Sequence, residues 1–220
     1  MAKAVIFDVD GTLIDSNDEH ARAWAEAFAE FGHKIAFADV RRQIGKGADQ
    51  LMPVFLSRQD LKQQGESIEA RRGDIFKQHY LPKVVAFHGV RALMERLKAD
   101  GIELALASSA AKDELAAYKK LAHIEDLIPV QTSSDDAEKS KPHPDIVEAA
   151  IQRLHLAVRH EALFVGDTPY DAEAASRAGL RTVGVTCGGW APAELRDAGC
   201  VAVYANPADL LKNYESWRAL

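Results

Sequence analysis

Acidic side chains occur in close pairs at two distant places in the chain. Asp8 and Asp10 follow one short apolar run, and Asp167 and Asp171 follow another. Two like charges about 4 Å apart repel by on the order of 4 kcal/mol at an effective dielectric near 20, so a fold gains nothing from such pairs without a cation or a chemical task. Each pair alone also suits a turn or a helix N-terminus. If the pairs meet, so many hard oxygen ligands predict a Mg²⁺ site.

Three further side chains are candidates for contact with a phosphate group. Ser108 and Ser109 follow an apolar run, where hydroxyl and backbone N–H groups at a strand-to-helix transition can bind an anion. Lys141, in a later loop, could supply positive charge. The ordinary alternatives are a helix cap for Ser109 and a solvated surface position for the lysine.

These candidates lie at the ends of predicted strands in an alternating pattern of strands and helices. The predicted strands are Lys3–Asp8, Ile102–Ala107, Ile128–Gln131, Ala162–Val165, Thr182–Val185 and Val201–Val203. The predicted helices are Val90–Ala99, Lys112–Leu121, Pro144–Leu154, Tyr170–Ala178, Pro192–Ala198 and Pro207–Tyr214. This alternation predicts an α/β fold with a doubly wound parallel sheet, whose ligands bind at the carboxyl ends of the strands.

Residues 16–87 interrupt this alternation with helical patterns alone. His20–Phe31 has apolar residues at three- and four-residue spacing, and Ala48–Leu56 and Ile68–Leu81 predict two more helices, with a polar, Gln-rich stretch at Leu61–Glu66 between them. We therefore expect a small all-α cap domain at 16–87, inserted into a catalytic core formed by 1–15 and 88–220.

Bulk composition restricts the partners of the protein. The 220 residues are 47% hydrophobic and carry a net charge of −6, which argues against a nucleic-acid partner. The two cysteines, Cys187 and Cys200, have neither metal-ligand nor disulfide spacing. The chain has no apolar run of about 20 residues and no signal-peptide pattern. We expect a cytoplasmic protein that does not bind membranes, as a monomer or a homodimer.

Four motifs in the chain resemble those of one family. They are Asp-Val-Asp-Gly-Thr-Leu-Ile-Asp-Ser at 8–16, serine after the second core strand, Lys-Pro at 141–142 and Gly-Asp-Thr-x-x-Asp at 166–171. Their types and order resemble the haloacid dehalogenase (HAD) superfamily, whose core is a Rossmann-like sheet. The helical insert resembles the α-helical cap of its phosphoglycolate phosphatase and β-phosphoglucomutase branch.

The resemblance implies catalytic and metal-binding roles for four aspartates. Asp8 would be the nucleophile and a Mg²⁺ ligand. Asp10 would act first as general acid and then as general base, and its backbone carbonyl would also bind the metal. Asp167 would be the third protein ligand, and Asp171 would orient the metal's water molecules.

The resemblance also implies how phosphate and substrate would be bound. Ser108 and Lys141 would hold the transferring phosphoryl group. In the cap, a histidine at the place of His20 is tied to the acid–base aspartate in β-phosphoglucomutase-like members. Arg42 and Lys46 lie in a basic, Gly-rich turn that could reach a distal anionic group of the substrate.

We therefore expect a Mg²⁺-dependent phosphatase that hydrolyses a small phosphorylated metabolite through a phospho-aspartyl intermediate. The substrate would be phosphoglycolate or a sugar phosphate. One alternative is a phosphomutase of hexose phosphates, and a more distant one is a non-catalytic binding module.

Overall fold

The computed structural model describes residues 2–154 and 161–220, in which strands and helices alternate. The strands are β1 (Ala4–Phe7), β2 (Ile14–Asp15), β3 (Val85–Ala86), β4 (Glu103–Ala107), β5 (Val130–Thr132), β6 (Ala162–Gly166), β7 (Arg181–Val185) and β8 (Cys200–Tyr204). The helices are α1 (Asn17–Glu30), α2 (Phe37–Arg41), α3 (Ala48–Phe55), α4 (Arg58–Ile75), α5 (Val90–Ala99), α6 (Lys112–Leu121), α7 (Asp145–Arg153), α8 (Pro169–Arg177), α9 (Pro192–Asp197), α10 (Pro207–Lys212) and α11 (Tyr214–Trp217).

Six strands form one parallel sheet in the order β5-β4-β1-β6-β7-β8. The central strand β1 is apolar throughout because both of its faces are covered. Ala4 and Ile6 pack into the core on one face, and Val5 and Phe7 pack into the core on the other. The six predicted strands are confirmed, with shifts at their ends.

Helices cover both faces of this sheet. Helices α7 and α8 pack on one face, and α5, α6, α10 and α11 pack on the other. The predicted doubly wound α/β fold is therefore confirmed. The predicted helix Pro207–Tyr214 is shorter than expected, because α10 ends at Lys212 and α11 starts a separate turn at Tyr214. None of the described helices combines the length and the apolar character that crossing a membrane requires.

The segment 16–87, which we call the cap, is helical apart from β3 and the connecting turns. Helix α1 packs on α2 and α4, and the rings of Trp24 and Phe28 lie in its core with centroids 5.4 Å apart. Where the chain enters and leaves the cap, β2 and β3 pair antiparallel through Ile14 with Ala86 and Asp15 with Val85. That residues 16–87 form a separate domain stays a prediction.

Within the cap, the predicted break at the Gln-rich stretch is wrong. Helix α4 starts at Arg58 and runs through this stretch to Ile75, and a π-helical turn continues to Tyr80. The Ser57 hydroxyl accepts a hydrogen bond from the Asp60 N–H at 3.2 Å, which caps the helix. Glutamine, lysine and glutamate are good helix formers, but α4 buries so few side chains that it has no apolar stripe to reveal it. The sequence patterns also missed α2 and the β2–β3 pair, which are too short for periodicity to detect.

Candidate active site

Asp8 and Lys141 form a buried ion pair at the carboxyl end of the central strand. Asp8 follows β1 directly, and its backbone N–H donates to the Val165 carbonyl at 2.9 Å. Lys141, which precedes α7 and is 1% exposed, donates through Nζ to Asp8 Oδ1 and lies 2.8 Å from Asp171 Oδ1. Asp171 is anchored in turn at the start of α8, where its Oδ2 accepts from the Thr168 hydroxyl at 2.7 Å. The lysine thus links carboxylates from two strand ends.

Asp167 is joined to Asp8 through the turn after β1. The Thr12 hydroxyl lies 3.2 Å from Asp8 Oδ2 and 3.0 Å from Asp167 Oδ1. The Asn17 amide donates to Asp167 Oδ2 at 2.9 Å. Gly11 allows this close approach, since it has φ of +77° and a Cβ there would overlap Asn17 and Asp167.

The three carboxylates of Asp8, Asp167 and Asp171 form a cluster that fits a divalent cation. One oxygen from each lies within 4.8 Å of the others, and all three residues are buried. Burial raises the pKa of Asp8 to about 7 although Lys141 opposes the shift. Burial and the charges of Asp171 and Asp8 also raise the pKa of Asp167 well above its usual value. A single lysine therefore leaves the cluster short of positive charge, and a hard cation would supply it.

Asp10 is engaged in a different network, away from this cluster. Its Oδ1 accepts from the Ser16 hydroxyl at 2.6 Å and lies 2.9 Å from His20 Nε2. That histidine nitrogen is also 3.0 Å from the Tyr118 hydroxyl, and the imidazole ring stacks on Phe76 with centroids 3.9 Å apart. Burial raises the pKa of Asp10, but the His20 charge and these hydrogen bonds outweigh it, so the pKa lies below its usual value. The predicted metal contact of Asp10 would thus have to use its backbone carbonyl.

A cavity of about 310 Å³ lies between the cap and the core above these residues. Asp8 and Asp10 line it from the core, while His20, Lys46 and Arg72 line it from the cap. Its size is at the lower end of that of small-molecule sites. The cavity therefore joins the carboxylate cluster to a space that a small substrate could fill.

The family of the chain follows from comparison with known proteins. The model of the haloacid dehalogenase-like hydrolases matches residues 5–185. The chain belongs to this family. Its resemblance to the HAD superfamily is thereby confirmed, and so is its class as a phosphoric monoester hydrolase, since its relatives are named as phosphatases.

Two relatives and one solved structure show how far this similarity extends. A phosphoglycolate phosphatase of Yersinia pestis is 34% identical over 192 residues, covering 84% of this chain and 82% of that protein. A phosphorylated carbohydrates phosphatase of Thermotoga maritima is 27% identical over 210 residues, covering 95% of this chain and 96% of that protein. The crystal structure of a hydrolase from Pseudomonas syringae has a TM-score of 0.89 and 29% identity, covering 97% of this chain and 98% of that one.

The two serines of this HAD-like hydrolase differ in their surroundings. Ser108 is fully buried, and its hydroxyl accepts from the Ala110 N–H at 3.0 Å. The Ser109 side chain lines the cavity, and its hydroxyl has no hydrogen-bond partner among residues 2–154 and 161–220. Ser109 is thus positioned to meet a phosphate group, and the Ser108 hydroxyl, which accepts a bond within its own turn, still has a hydrogen to donate.

The two basic residues of the cap turn have different positions in this HAD-like hydrolase. Lys46 lines the cavity and donates to Gln43 Oε1 at 2.6 Å, and its ammonium group lies 4.5 Å from the centre of the Tyr170 ring. Arg42 is instead paired with Glu194 at 2.6 Å and lies 3.6 Å over the Trp190 ring. Because Arg42 is not among the described residues that line the cavity, its predicted substrate contact is not supported.

Sequence patterns did not single out five side chains that the structure brings to the site, namely Thr12, Asn17, Arg72, Glu114 and Tyr118. The first two lie within or beside the first motif, and that proximity was an available signal. Glu114 and Tyr118 are four residues apart on α6 and so share one helix face. Arg72 lies inside the predicted helix Ile68–Leu81, but no motif or spacing marked it as a site residue.

Proposed function

We propose that this hydrolase is a Mg²⁺-dependent phosphatase of small phosphomonoesters that forms a phospho-aspartyl intermediate on Asp8. One observation carries the proposal: the carboxylate of Asp8 belongs to the buried cluster with Lys141, Asp167 and Asp171 and also lines the cavity. It is therefore the carboxylate of the cluster that a substrate in the cavity could reach.

Asp8 would attack phosphorus while the bond to the ester oxygen breaks. Lys141 and Thr12 hold the two oxygens of Asp8, which restricts the rotation of the carboxylate and orients it for attack. Lys141 also reduces the repulsion between this carboxylate and the dianionic phosphate. The Ser109 hydroxyl would donate to a phosphoryl oxygen.

Asp10 would move the protons of both steps. It would give a proton to the departing alkoxide and later accept one from the water that cleaves the acyl phosphate, which regenerates Asp8 and releases phosphate. The lowered pKa of Asp10 in the structure favours the ionised form that the second step needs. The negative charge of a bound phosphate ester would raise this pKa and favour the protonated form for the first step.

Asp8 and Asp167 would hold the Mg²⁺ ion together with the backbone carbonyl of Asp10. When bound, the ion would neutralise charge on the phosphoryl group. Asp171 would act on the metal only indirectly, since Lys141 Nζ lies 2.8 Å from its Oδ1 and the Thr168 hydroxyl donates to its Oδ2.

Phosphate release from p-nitrophenyl phosphate tests the proposal. We expect activity with Mg²⁺, its loss after dialysis against a chelator and its recovery when Mg²⁺ is returned. Asp8→Asn should lower kcat by on the order of 10⁴-fold or more, as loss of a catalytic nucleophile does. Acid quenching followed by peptide mass spectrometry should find the phosphoryl group on Asp8 of the wild type.

The matched control is Asp197→Asn, which makes the same change at an exposed position on α9 and should leave kcat unchanged. A chelator-treated protein that keeps its rate would contradict the metal requirement. An Asp8→Asn protein that turns over at an appreciable rate would contradict the nucleophile.

The phosphomutase alternative draws on one specific contact, the 2.9 Å between His20 Nε2 and Asp10 Oδ1. Incubation with a hexose phosphate distinguishes the two activities, because a phosphatase releases inorganic phosphate whereas a mutase forms an isomer and keeps the phosphate bound. We expect phosphate release to dominate.

A further inference from the structure

The cavity has a second polar region on helices α4 and α6, formed by Arg72 of the cap and Glu114 of the core. Their closest ionic approach, from Arg72 Nη1 to Glu114 Oε1, is 3.5 Å. Within the described part of the chain, no hydrogen-bond partner is found for Glu114 Oε2 or for Nε and Nη1 of Arg72. The Glu114 side chain is only 3% exposed. A buried carboxylate and a guanidinium group that is 15% exposed both line the cavity and retain unused bonding capacity, which indicates a ligand group that bridges them.

The unused atoms define the kind of group that would fit. Glu114 Oε2 can only accept a hydrogen bond while it is ionised, and the N–H groups of Arg72 can only donate. A hydroxyl group can do both at once, since its hydrogen can point to Glu114 while its oxygen accepts from Arg72. A carboxylate can accept from Arg72 but would place its charge next to that of Glu114.

The charge of the cavity wall favours an uncharged leaving group as well. Apart from the catalytic aspartates and the His20 that pairs with Asp10, four carboxylates and two cations line it: Asp49, Glu69, Glu114 and Glu138 against Lys46 and Arg72. Burial, the largest cause, raises the pKa of Glu69 above its usual value. The wall is therefore unfavourable for a second anionic group on the substrate.

Trp24 completes this region with an apolar surface. Its ring lines the cavity, and the Arg72 guanidinium lies 5.2 Å from its centre. The C–H groups of a hydroxylated carbon chain could pack on the ring while the hydroxyls face the charged pair.

We propose that Arg72 and Glu114 bind hydroxyl groups of the substrate and make this enzyme selective for phosphate esters of neutral polyhydroxyl compounds over esters that carry a carboxylate. The proposal rests on the phosphatase function above and adds a substrate class to it. It assigns this chain a preference different from the one in the name of its Yersinia pestis relative.

Specificity constants for three kinds of ester test this proposal. The first kind is hexose and glycerol phosphates, the second is phosphoglycolate, and the third is p-nitrophenyl phosphate, which has neither hydroxyl nor carboxylate. We expect kcat/KM of the wild type to be about tenfold or more higher for the best polyol phosphate than for phosphoglycolate.

Glu114→Gln keeps the shape of the side chain and removes its charge. It should lower kcat/KM for polyol phosphates roughly 10- to 100-fold, as loss of a charged hydrogen-bond acceptor does, and lower kcat/KM for p-nitrophenyl phosphate by a clearly smaller factor. The ratio of kcat/KM for phosphoglycolate to kcat/KM for the polyol phosphates should therefore rise. Arg72→Met should also lower kcat/KM for polyol phosphates. The matched control is Glu95→Gln, which alters an exposed carboxylate paired with Arg91 on α5 and should change none of the three.

The outcomes separate recognition from structure. If Glu114→Gln lowers kcat/KM equally for all three kinds of ester, the Arg72–Glu114 pair only joins the cap to the core, and the proposal is overturned. A wild type that cleaves p-nitrophenyl phosphate but prefers phosphoglycolate overturns the substrate class and leaves the phosphatase function standing. A wild type that cleaves none of the three with Mg²⁺ overturns both. The specificity constants of the wild type for the three kinds of ester test the proposal even if a variant fails to fold.

Discussion

Two polar regions at the cavity differ in how completely their charges are paired: the carboxylate cluster that reaches the cavity through Asp8, which we call the core wall, and the Arg72–Glu114 pair, which we call the opposite wall. On the core wall, Lys141 contacts Asp8 and Asp171, and the other oxygens of these two aspartates accept from threonine hydroxyls. On the opposite wall, Arg72 and Glu114 approach only to 3.5 Å. The first wall is held in place by its own bonds, whereas the second has bonding capacity left for a ligand. Under the proposed function, the catalytic geometry would be built into the protein, and selectivity would depend on the fit of the substrate.

The origin of each wall explains this difference. The core wall comes from segments that follow β1 and β6 and precede α7, which meet at one edge of a parallel sheet. The other wall joins α4 of the cap to α6 of the core, so it depends on how two packed units meet. Three substitutions test this difference between the two walls.

The largest effect is expected from Lys141→Met, which removes the cation of the core wall. Asp8 and Asp171 would remain buried without it, and breaking a buried ion pair in this way costs about 3–5 kcal/mol of unfolding free energy. We also expect kcat to fall by on the order of 10²-fold or more, because the phosphate loses a positive charge. Urea unfolding and phosphate release measure the two effects.

Lys139→Met is the matched control for this substitution, since it removes an exposed lysine two residues away. A Lys141→Met protein as stable and as active as the control would show that the core wall does not depend on its internal pairing.

An intermediate effect is expected from Tyr118→Phe, which removes the hydroxyl that contacts His20. That hydroxyl also helps to hold the ionised Asp10. Loss of one such hydrogen bond should lower kcat about 3- to 10-fold, with KM for p-nitrophenyl phosphate little changed. Tyr204→Phe on β8 is the control. An unchanged kcat would mean that Ser16 and His20 are sufficient to position Asp10.

The smallest effect is expected from Arg42→Ala, outside both walls. Its pairing with Glu194 is exposed, and such pairs contribute little to stability. We expect kcat/KM for every ester to stay within about twofold, as for other surface substitutions. A tenfold rise in KM for one class of ester would instead support the contact between Arg42 and the substrate that the sequence predicted.

Much of the fold could be predicted because its signals are local. The strand β1 is a continuous apolar run, and helices α5 and α6 were predicted at their observed bounds, since a helix repeats its apolar positions every three or four residues. The start of α4 was missed because most of its side chains are exposed. Arg72 lies within the predicted helix Ile68–Leu81, but nothing in its spacing marked it as a candidate site residue.

The sequence alone determined which residues stand at strand ends, because strand periodicity and the order of the motifs are properties of short segments. It therefore placed Asp8, Lys141 and Asp167 at one edge of the sheet. The packed structure was needed to show that Lys141 reaches both Asp8 and Asp171, that the Asp10 side chain contacts His20, and that Arg72 lies next to Glu114. These pairings join residues from different elements, and their geometry depends on the packing of the whole chain.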